Sequence, residues 1–572
     1  MNHFRLSASD YVVVVGYFVL LLAIGLWFRN RLKNMKDYFA GGNQIPWWMA
    51  GISHYMSSFS AFSFIAYAQI GYLYGWVAVT LFWAVVPACL AGGLFFARRW
   101  RRARVITPIQ FLEMRFSGGI RQLFAWAGIP VRIFDDALKI FATGVFVSIA
   151  SGIDLNWSIV ICGGVMIAYT FFGGVWALVV TDYIQFLMKV LAIVLMCPLA
   201  IAAAGGIHSA FRDLPSGFLA PVNGPYGWPY LAGFIALMMV SYNASWPLAQ
   251  KYYSVPNDRD ASKAAYFSAL LNFLGAPLMI LPAIVGRHIL PDLVAQHDTA
   301  NTYVLLVAHL LPVGMVGIIM AAMFSATMAA VTGDYNAMAS VLTQDVYYRL
   351  IKPAASEKHL LLVGRWVTFG LGVLTTVLSL WVVFSHQQSL FNLMVSVLGL
   401  FMAPTLMPLL AGLVSPRLNW QGALGGFLCG LFTGIVMLAL SIWWPDAATV
   451  FGSSFNFEGV SLLFNTGATI LGMIAGSLLF HSSAKNQEEA RQFFVELAKP
   501  VEASENAVGE KENPAPVLAF STASVGTLLV IAGAISGSME ARLIDIGIGL
   551  FFGAISLVFL YRVRRAKRQQ MH

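Results

Sequence analysis

Long apolar stretches follow one another along this chain and leave few alternatives to a membrane protein. Fifteen of them approach the roughly 20 residues that a helix needs to cross a bilayer. Charged residues make up only 11% of the sequence, against roughly 25% in soluble proteins. The predicted spans are residues 10–28, 46–72, 76–97, 124–150, 157–172, 181–204, 229–250, 264–290, 313–345, 361–385, 390–413, 420–443, 461–481, 517–537 and 543–562. We therefore predict an all-α polytopic membrane protein.

Lysine and arginine concentrate in the loops after odd-numbered spans, which indicates the orientation of the chain. These loops contain RNRLKNMK, RRWRRAR, KYYSVPNDRDASK, YYRLIKPAASEK and the terminal RVRRAKR. Cytoplasmic loops of membrane proteins carry the excess of positive charge. We expect the N-terminus outside and the C-terminus in the cytoplasm, in a plasma membrane such as a bacterial inner membrane. The formal net charge of +9 belongs to these loops, so the expected partner is the lipid bilayer and not a nucleic acid.

No motif of a catalytic or cofactor site occurs in the chain. It lacks H-E-x-x-H and G-x-S-x-G and has no clustered histidines. The four cysteines lie in apolar stretches, with neither metal-ligand spacing nor a disulfide pattern. The N-terminus has no cationic region before its first apolar run, so no removable signal peptide is expected. We expect neither enzymatic activity nor an organic cofactor.

The order of the spans indicates an internal repeat with one half inverted. Spans two to six and spans seven to eleven form two blocks of five, and an odd number makes the second block enter the membrane from the opposite side. The expected divisions are an extra helix and first cytoplasmic loop (1–45), a first repeat (46–204), a second repeat (229–413), extra helices (414–481), a cytoplasmic linker (482–516) and a C-terminal helix pair with a basic tail (517–572). In the linker we expect a short amphipathic helix followed by a flexible segment.

Polar residues interrupt the first helix of each block. The middle of the stretch from Ala50 to Trp76 contains Ser57, Ser58, Ser60 and Ser63. The corresponding helix of the second block contains SYNASWP, from Ser241 to Pro247. Matched interruptions in two inverted halves are typical of the binding site of a transporter. The alternative is that the serines bond to the carbonyl four residues earlier and pack against a neighbouring helix.

A carboxylate enters the sixth span. In FFGGVWALVVTDYIQ, Gly173 and Gly174 are expected to form a tight turn, and Asp182 and Gln185 follow it into the membrane. An ionisable group within a span indicates an ion or proton path by default. The alternative is an interfacial aspartate that caps the helix N-terminus.

Four charges lie on one predicted helix, in VRIFDDALK. Arg132 and Asp136 are four residues apart, as are Asp135 and Lys139, and such pairs face each other on a helix. Charges inside a membrane pair with one another or face water. The group therefore either neutralises itself or takes part in substrate recognition.

Four motifs together resemble the sodium/solute symporter family. GGVWALVVTDYIQ is similar to its GG–x–x–A–x–x–x–TD–x–x–Q signature, and PIQFLEMRF, SPRLNWQGALGG and TQDVY resemble three further segments. The resemblance covers about residues 10 to 480. It implies a five-plus-five inverted-repeat core of the amino acid/cation symporter type, with one N-terminal and about four C-terminal extra helices. It also implies alternating access driven by an inward sodium gradient.

The sodium site implied by this resemblance has altered ligands. The family's backbone carbonyl ligands fall at Met56, Phe59 and Ala326, while its two neighbouring hydroxyl residues fall at Ala329 and Ala330. Hard cations take oxygen ligands, so two oxygens are missing from this arrangement.

Side chains near this position suggest how a cation site is rebuilt. Asp182 maps to the family's second cation site, and Ser325, Thr332 and Asn336 share one helical face, with Asp334 close by. Three possibilities stay open: a sodium site on Asp182 and Thr332, proton coupling through Asp182 or Asp334, or loss of coupling. The expected sodium residues are Met56, Phe59, Ala326, Asp182 and Thr332.

The family's substrate patterns are only partly retained. An arginine that holds the carboxylate in sialic acid carriers falls at Asp135, and a carboxylate there suits an amine or a sugar hydroxyl. The pocket residues of the galactose carrier fall at Ser63, Phe82, Ser245 and Asn272. We expect a small polar organic solute without the galactose carrier's recognition pattern. The candidate substrate contacts are Ser60, Ser63, Tyr72, Asp135, Asn243, Ser245 and Trp246.

The favoured function is secondary active import of this solute, coupled to sodium or, alternatively, to protons. Trp246 either gates by stacking or packs as a core aromatic. The competing hypothesis is an uncoupled or sensory receptor built on the same fold, which the altered sodium site favours. No output domain follows the last span, and this observation weighs against a sensor.

Overall fold

Helices form nearly all of the computed structural model, which describes residues 7–29, 35–172, 175–212, 214–295, 299–312, 315–385, 390–443, 457–502, 514–536 and 538–570. Within these ranges there is no β-strand, only an isolated bridge between Asn223 and Tyr226. The predicted turn at Gly173 and Gly174 lies outside the described residues.

The first half of the chain contributes the helices up to residue 210. They are α1 (Ala8–Arg29), α2 (Met35–Ala40), α3 (Trp47–Ser57), α4 (Ala61–Tyr74), α5 (Val77–Trp83), α6 (Val85–Ala91), α7 (Ala97–Arg102), α8 (Phe111–Arg115), α9 (Gly118–Ser151), α10 (Leu155–Phe172), α11 (Val175–Ala203) and α12 (Ile207–Ala210). A π-helical turn, Gly92–Phe96, joins α6 to α7.

The second half of the chain contributes the remaining helices. They are α13 (Trp228–Ala244), α14 (Trp246–Tyr253), α15 (Asp258–Ile289), α16 (Thr302–Leu310), α17 (Val316–Ser340), α18 (Glu357–Ser385), α19 (Leu390–Val414), α20 (Trp420–Trp443), α21 (Phe457–Leu479), α22 (Ala484–Ala498), α23 (Ala515–Ile535) and α24 (Met539–Gln570). A π-helix, Val341–Ile351, extends α17.

Each predicted span lies mostly on helix within the described residues, which leave out residues 313, 314 and 537. Within the described ranges, ten helices are long and apolar enough to cross a membrane, and two further helix pairs qualify only when taken together. One of these pairs is α13 with α14, which meet at a bend of 49°. The first helix of the first block is also divided, because α3 ends at Ser57 and α4 begins at Ala61. Both predicted interruptions are therefore confirmed as breaks in helical structure.

Helix α17 lies at the centre of the molecule. All of its residues are buried, and it packs against α1, α3, α9, α11 and α18. Alanines and glycines make up much of its sequence, VGIIMAAMFSATMAAVTGDYNAMAS, and small residues let neighbouring helices approach closely inside a membrane. The polar side chains of α17 consequently face other helices and not lipid.

The predicted amphipathic helix of the linker is α22, which lies against the short helix α8. The Phe493 and Phe111 rings stack with their centroids 5.8 Å apart, and the Arg115 guanidinium lies 5.1 Å from the centroid of the Phe494 ring. Burial lowers the pKa of Arg115 to about 10, which leaves it charged at neutral pH. It also donates a hydrogen bond of 2.8 Å to the Ser415 carbonyl. The linker after α22, residues 503–513, lies outside the described residues.

Two C-terminal helix pairs pack through glycines. In α23 and α24, a Cβ atom placed on Gly549 would lie 2.6 Å from the Gly526 carbonyl oxygen, and one placed on Gly526 would lie 2.7 Å from the Gly549 oxygen. No real Cβ approaches backbone so closely, so both positions require glycine for this packing. Gly425 and Gly472 make the same kind of contact between α20 and α21.

We predict that Gly549→Ala lowers the thermal stability of the purified protein, by about 1–3 kcal/mol, because the added methyl group overpacks the seam between α23 and α24. The matched control is Gly547→Ala on the same helix, where a Cβ meets no atom within 4 Å. The midpoint of thermal unfolding in detergent measures both effects. Equal midpoints for the two variants would contradict this packing.

Candidate functional site

The two helix breaks expose backbone groups that other helices satisfy. At the first break, the Ala61 N–H donates a hydrogen bond of 2.8 Å to the Thr327 hydroxyl of α17. The Thr143 hydroxyl of α9 lies 2.7 Å from the same oxygen. At the second break, Ser245 has a non-helical backbone, with φ −57° and ψ 133°. The breaks are thus built into contacts with α9 and α17 and are not local irregularities.

A cavity of about 130 Å³ lies between the two breaks. Four of the predicted substrate contacts line it, together with Phe59 of the predicted sodium residues. These four are Ser60, Ser63, Asp135 and Ser245. Arg132, Lys139 and Asp334 bring charge to the same wall. A concave site with a few convergent polar groups is what small-molecule binding requires.

The charges on this wall form one connected network. Asp334 of α17 accepts a 2.8 Å hydrogen bond from Arg132 and lies 3.2 Å from the Lys139 ammonium group, both on α9. Lys139 is also 2.8 Å from Asp135 and 3.1 Å from Asp136. Two cations thus share three carboxylates, which satisfies the demand that charges within a membrane be paired.

The structure replaces the expected Arg132–Asp136 pair and shows where Asp334 lies. Asp135 and Lys139 pair as predicted, but Arg132 pairs with Asp334 of another helix and not with Asp136. Asp136 is fully buried and reaches Lys139 instead. Asp334 is only 4% exposed, so it belongs to the cavity wall. The i, i+4 spacing that suggested the Arg132–Asp136 pair gave no information about a partner 202 residues away.

Trp246 contacts this network through Arg132. The Arg132 guanidinium is 4.7 Å from the centroid of its ring, a cation–π geometry, and the side chain is buried. The Arg132 guanidinium also donates a 3.2 Å hydrogen bond to the Ser245 hydroxyl. Trp246 therefore supports the position of Arg132 at the second break and is not among the residues that line the cavity.

Two other predicted substrate contacts lie outside the cavity lining. The Tyr72 hydroxyl donates a 2.6 Å hydrogen bond to the Leu290 carbonyl. The Asn243 amide donates to the carbonyls of Ala88 and Met239, at 2.9 and 2.8 Å. Both side chains are thereby engaged in holding helices together.

The predicted sodium residues are distributed around the first break. The Met56 carbonyl accepts a 3.1 Å hydrogen bond from the Phe59 N–H, so it is already used within the break. The Thr332 hydroxyl donates 2.7 Å to the Met328 carbonyl of its own helix. Ala326 is fully buried on α17. All five residues are buried, and the cation-binding role of the set stays a prediction.

Asp182 is fully buried on α11. Its Oδ2 accepts a hydrogen bond from the Ser53 hydroxyl, and its Oδ1 has no hydrogen-bond partner among the described residues. Lys251 of α14 attracts it electrostatically, although the ammonium group of Lys251 has no hydrogen-bond partner in the described structure either. A buried carboxylate with one unsatisfied oxygen is a suitable ligand for a cation.

Three residues near the breaks escaped the sequence-based prediction. The Thr327 hydroxyl accepts a hydrogen bond from the backbone at the first break. Lys251 interacts electrostatically with Asp182, and Lys189 is fully buried on α11. The two lysines carried an available signal, because an ionisable residue within a span is a functional candidate by default. Nothing in the spacing of α17 distinguished Thr327 from its neighbours.

Two broken helices that meet at a buried polar cavity, within two inverted blocks of helices, define the fold of a membrane carrier. The solved structure titled "Substrate-bound outward-open state of a Na+-coupled sialic acid symporter reveals a novel Na+-site" has this fold. It matches 83% of this chain and 98% of its own chain, with a TM-score of 0.72 and 23% identity. The predicted five-plus-five inverted-repeat fold is thereby confirmed.

This chain belongs to the sodium:solute symporter family, whose sequence profile matches residues 38–430. Among its relatives, "Sodium/glucose cotransporter 4" of Danio rerio is 27% identical over 488 residues, which cover 76% of this chain and 72% of the relative. "Sodium/myo-inositol cotransporter 2" of Homo sapiens is 28% identical over 521 residues, which cover 81% of this chain and 75% of the relative.

We predict that Thr327→Val destabilises the protein by about 1–3 kcal/mol, because it leaves the buried Ala61 N–H without an acceptor. The matched control on α17 is Thr332→Val, which removes only a bond to the preceding turn and changes stability little. Thermal unfolding in sodium-free buffer compares the two. A Thr327→Val variant as stable as the control would show that the break does not depend on this hydroxyl.

Proposed function

We propose that this protein is a secondary active transporter that imports a small polar organic solute by alternating access, driven by an inward cation gradient. The observation that carries the proposal is the polar cavity enclosed between the breaks of α3–α4 and α13–α14. A solute bound there contacts both inverted repeats, so movement of one repeat against the other opens the site to either side in turn.

The solute we propose is a polyhydroxylated one, a sugar or a cyclic polyol. The serines of the cavity donate and accept hydrogen bonds, as sugar hydroxyls do. Asp135 also lines the cavity and adds a charged acceptor, one oxygen of which pairs with Lys139. Most charges of the network already bond to one another, so the cavity favours a neutral solute over a strongly charged one. The names of the glucose and myo-inositol cotransporters among the relatives agree with this class.

Sodium is the coupling cation that we propose, with Asp182 as its carboxylate ligand. Asp182 is fully buried and has one oxygen without a hydrogen-bond partner in the described structure. The placement of Lys and Arg in alternate loops supports a plasma-membrane protein with its N-terminus outside and its C-terminus in the cytoplasm.

The test is uptake of radiolabelled myo-inositol and glucose into proteoliposomes, with an amine and a sialic acid as competing classes. We expect accumulation under an inward sodium gradient. Asp135→Asn should lower uptake about tenfold, since a hydrogen bond to a charged group contributes about 1.5–3 kcal/mol. The control is Asp154→Asn, an exposed helix-capping residue at the start of α10 whose cap an asparagine retains.

The coupling cation is tested separately with Asp182→Asn. We expect this variant to lose sodium-driven accumulation while it still exchanges solute across the membrane without a gradient.

Uptake of the amine and not of the polyols would show that the solute is an amine, which the Asp135 carboxylate would bind. Solute binding without any transport would overturn the carrier proposal in favour of the uncoupled or sensory receptor.

A further inference from the structure

A second and larger cavity, of about 660 Å³, lies beside the linker helix α22. Its wall also includes residues of α8, of the loop before α20 and of the end of α21. The linker and the loop before α20 follow odd-numbered spans, so they belong to the face for which we propose a cytoplasmic position. Small-molecule sites typically enclose roughly 300–1,000 Å³. None of the functions proposed above uses this cavity.

The charged side chains that line this cavity are arginines. They are Arg115, Arg417 and Arg491, and no aspartate or glutamate of the described residues shares the lining. The amides of Asn486 and Gln487 add further N–H groups to the wall. A concave surface with charges of one sign concentrates ions of the opposite sign. This space, which we call the basic cavity, is therefore suited to an anion.

Arg115 brings a buried charge to the basic cavity without a carboxylate partner. Its side chain is only 3% exposed. Nε donates a 3.3 Å hydrogen bond to the Gly412 carbonyl, and Nη2 donates to the carbonyls of Ser415, Pro416 and Leu418. Within the described ranges Nη1 has no hydrogen-bond partner. Carbonyl oxygens carry only partial charges, so an anion in the cavity would supply the missing counter-charge.

The other two arginines approach the basic cavity from separate segments. Arg417, in the loop before α20, is exposed and has no hydrogen bond or ion pair among the residues that the structure describes. Arg491 of α22 pairs with Glu488 through Nε and Nη2, at 2.8 and 2.9 Å, where both side chains are exposed. An exposed ion pair contributes little to stability. Both guanidinium groups are thus available to an anion, and their planar fork of donors matches the oxygens of a phosphate.

Apolar side chains extend from the basic cavity onto the outer surface of α21. Phe480 and Val495 line the cavity and are themselves largely exposed. Leu478 and Leu479, in the last turn of α21, are each 73% exposed. Since α21 is long and apolar enough to cross a membrane, these leucines lie where lipid chains would cover them. Basic pockets at the cytoplasmic end of membrane helices bind lipid headgroups, and this surface offers room for the attached chains.

We propose that the basic cavity beside α22 is a binding site for a phosphate ester. Arg417 and Arg491 donate hydrogen bonds to the phosphate oxygens, and the charge of Arg115 stabilises the anion from the buried side. The phosphate belongs to the headgroup of an anionic phospholipid or to a soluble phosphate ester, and the exposed leucines favour the lipid. A bound phosphate joins α22 to the loop before α20 and so holds the linker helix against the rest of the protein.

The experiment measures thermal unfolding of the full-length protein in neutral detergent, at fixed sodium concentration and ionic strength. The probes are phosphatidylglycerol, phosphatidylcholine with the same acyl chains, and glycerol 3-phosphate. We expect phosphatidylglycerol to raise the midpoint with saturation, because a ligand of the folded state stabilises it by mass action. Zwitterionic phosphatidylcholine should not raise it.

The variants are Arg417→Gln and Arg491→Gln, since Arg115 also holds backbone carbonyls and its replacement would disturb the fold. Each should weaken the apparent affinity for phosphatidylglycerol about tenfold. The matched control is Arg259→Gln, an exposed arginine at the start of α15 that is outside the lining of the cavity. It should bind as tightly as the unmodified protein, because it removes the same charge from another place on the same face.

Stabilisation by phosphatidylglycerol and not by glycerol 3-phosphate would identify a lipid headgroup as the ligand. Stabilisation by glycerol 3-phosphate, weakened in the same two variants, would identify a soluble ester in the same site. The proposal would be overturned if neither probe shifts the midpoint, or if Arg417→Gln and Arg491→Gln respond like Arg259→Gln. No transport solute is present in this assay, so its outcome is independent of the proposed function.

Discussion

The carboxylate of Asp334 joins the two inverted repeats, and much of the site depends on it. It lies on α17 and binds Arg132 and Lys139 of α9. Charges inside a membrane are tolerated only when they are paired or reach water, so this network holds the two helices together in the present arrangement. Arg132 in turn contacts Ser245 and the face of Trp246, and this fixes the second break against the first repeat. The cavity is the space that remains between these contacts.

The first break depends on the same central helix. Thr327 of α17 accepts from the start of α4, and the alanines around it allow neighbouring helices close to the backbone. The same central scaffold therefore supports both breaks, the first through hydroxyl groups and the second through charged groups. Phe59 connects this scaffold to α11, because it borders the cavity and contacts Lys189.

Sequence reasoning predicted the features that depend on local composition. Serines and a proline within apolar stretches indicated both breaks, and the spacing of Asp135 and Lys139 indicated their pair. It could not identify the partner of Arg132, since Asp334 is remote in sequence and only the fold brings the two together. Nor could it show that Tyr72 and Asn243 lie outside the cavity lining, because their polar groups bond to carbonyls that are remote in sequence. Lys189 and Lys251 were missed although an ionisable residue within an apolar span is itself a signal.

The glycine seam between α23 and α24 bears on how the chain enters the membrane during synthesis. Three residues, 536–538, separate these helices, and the backbones touch at Gly526 and Gly549. So short a connection and so close a backbone contact suit insertion of both helices together as a hairpin. A hairpin returns to the face from which it started. The end of α24 therefore returns to the face from which α23 starts, so the positive charges that follow Tyr561 in the sequence need not pass through hydrocarbon.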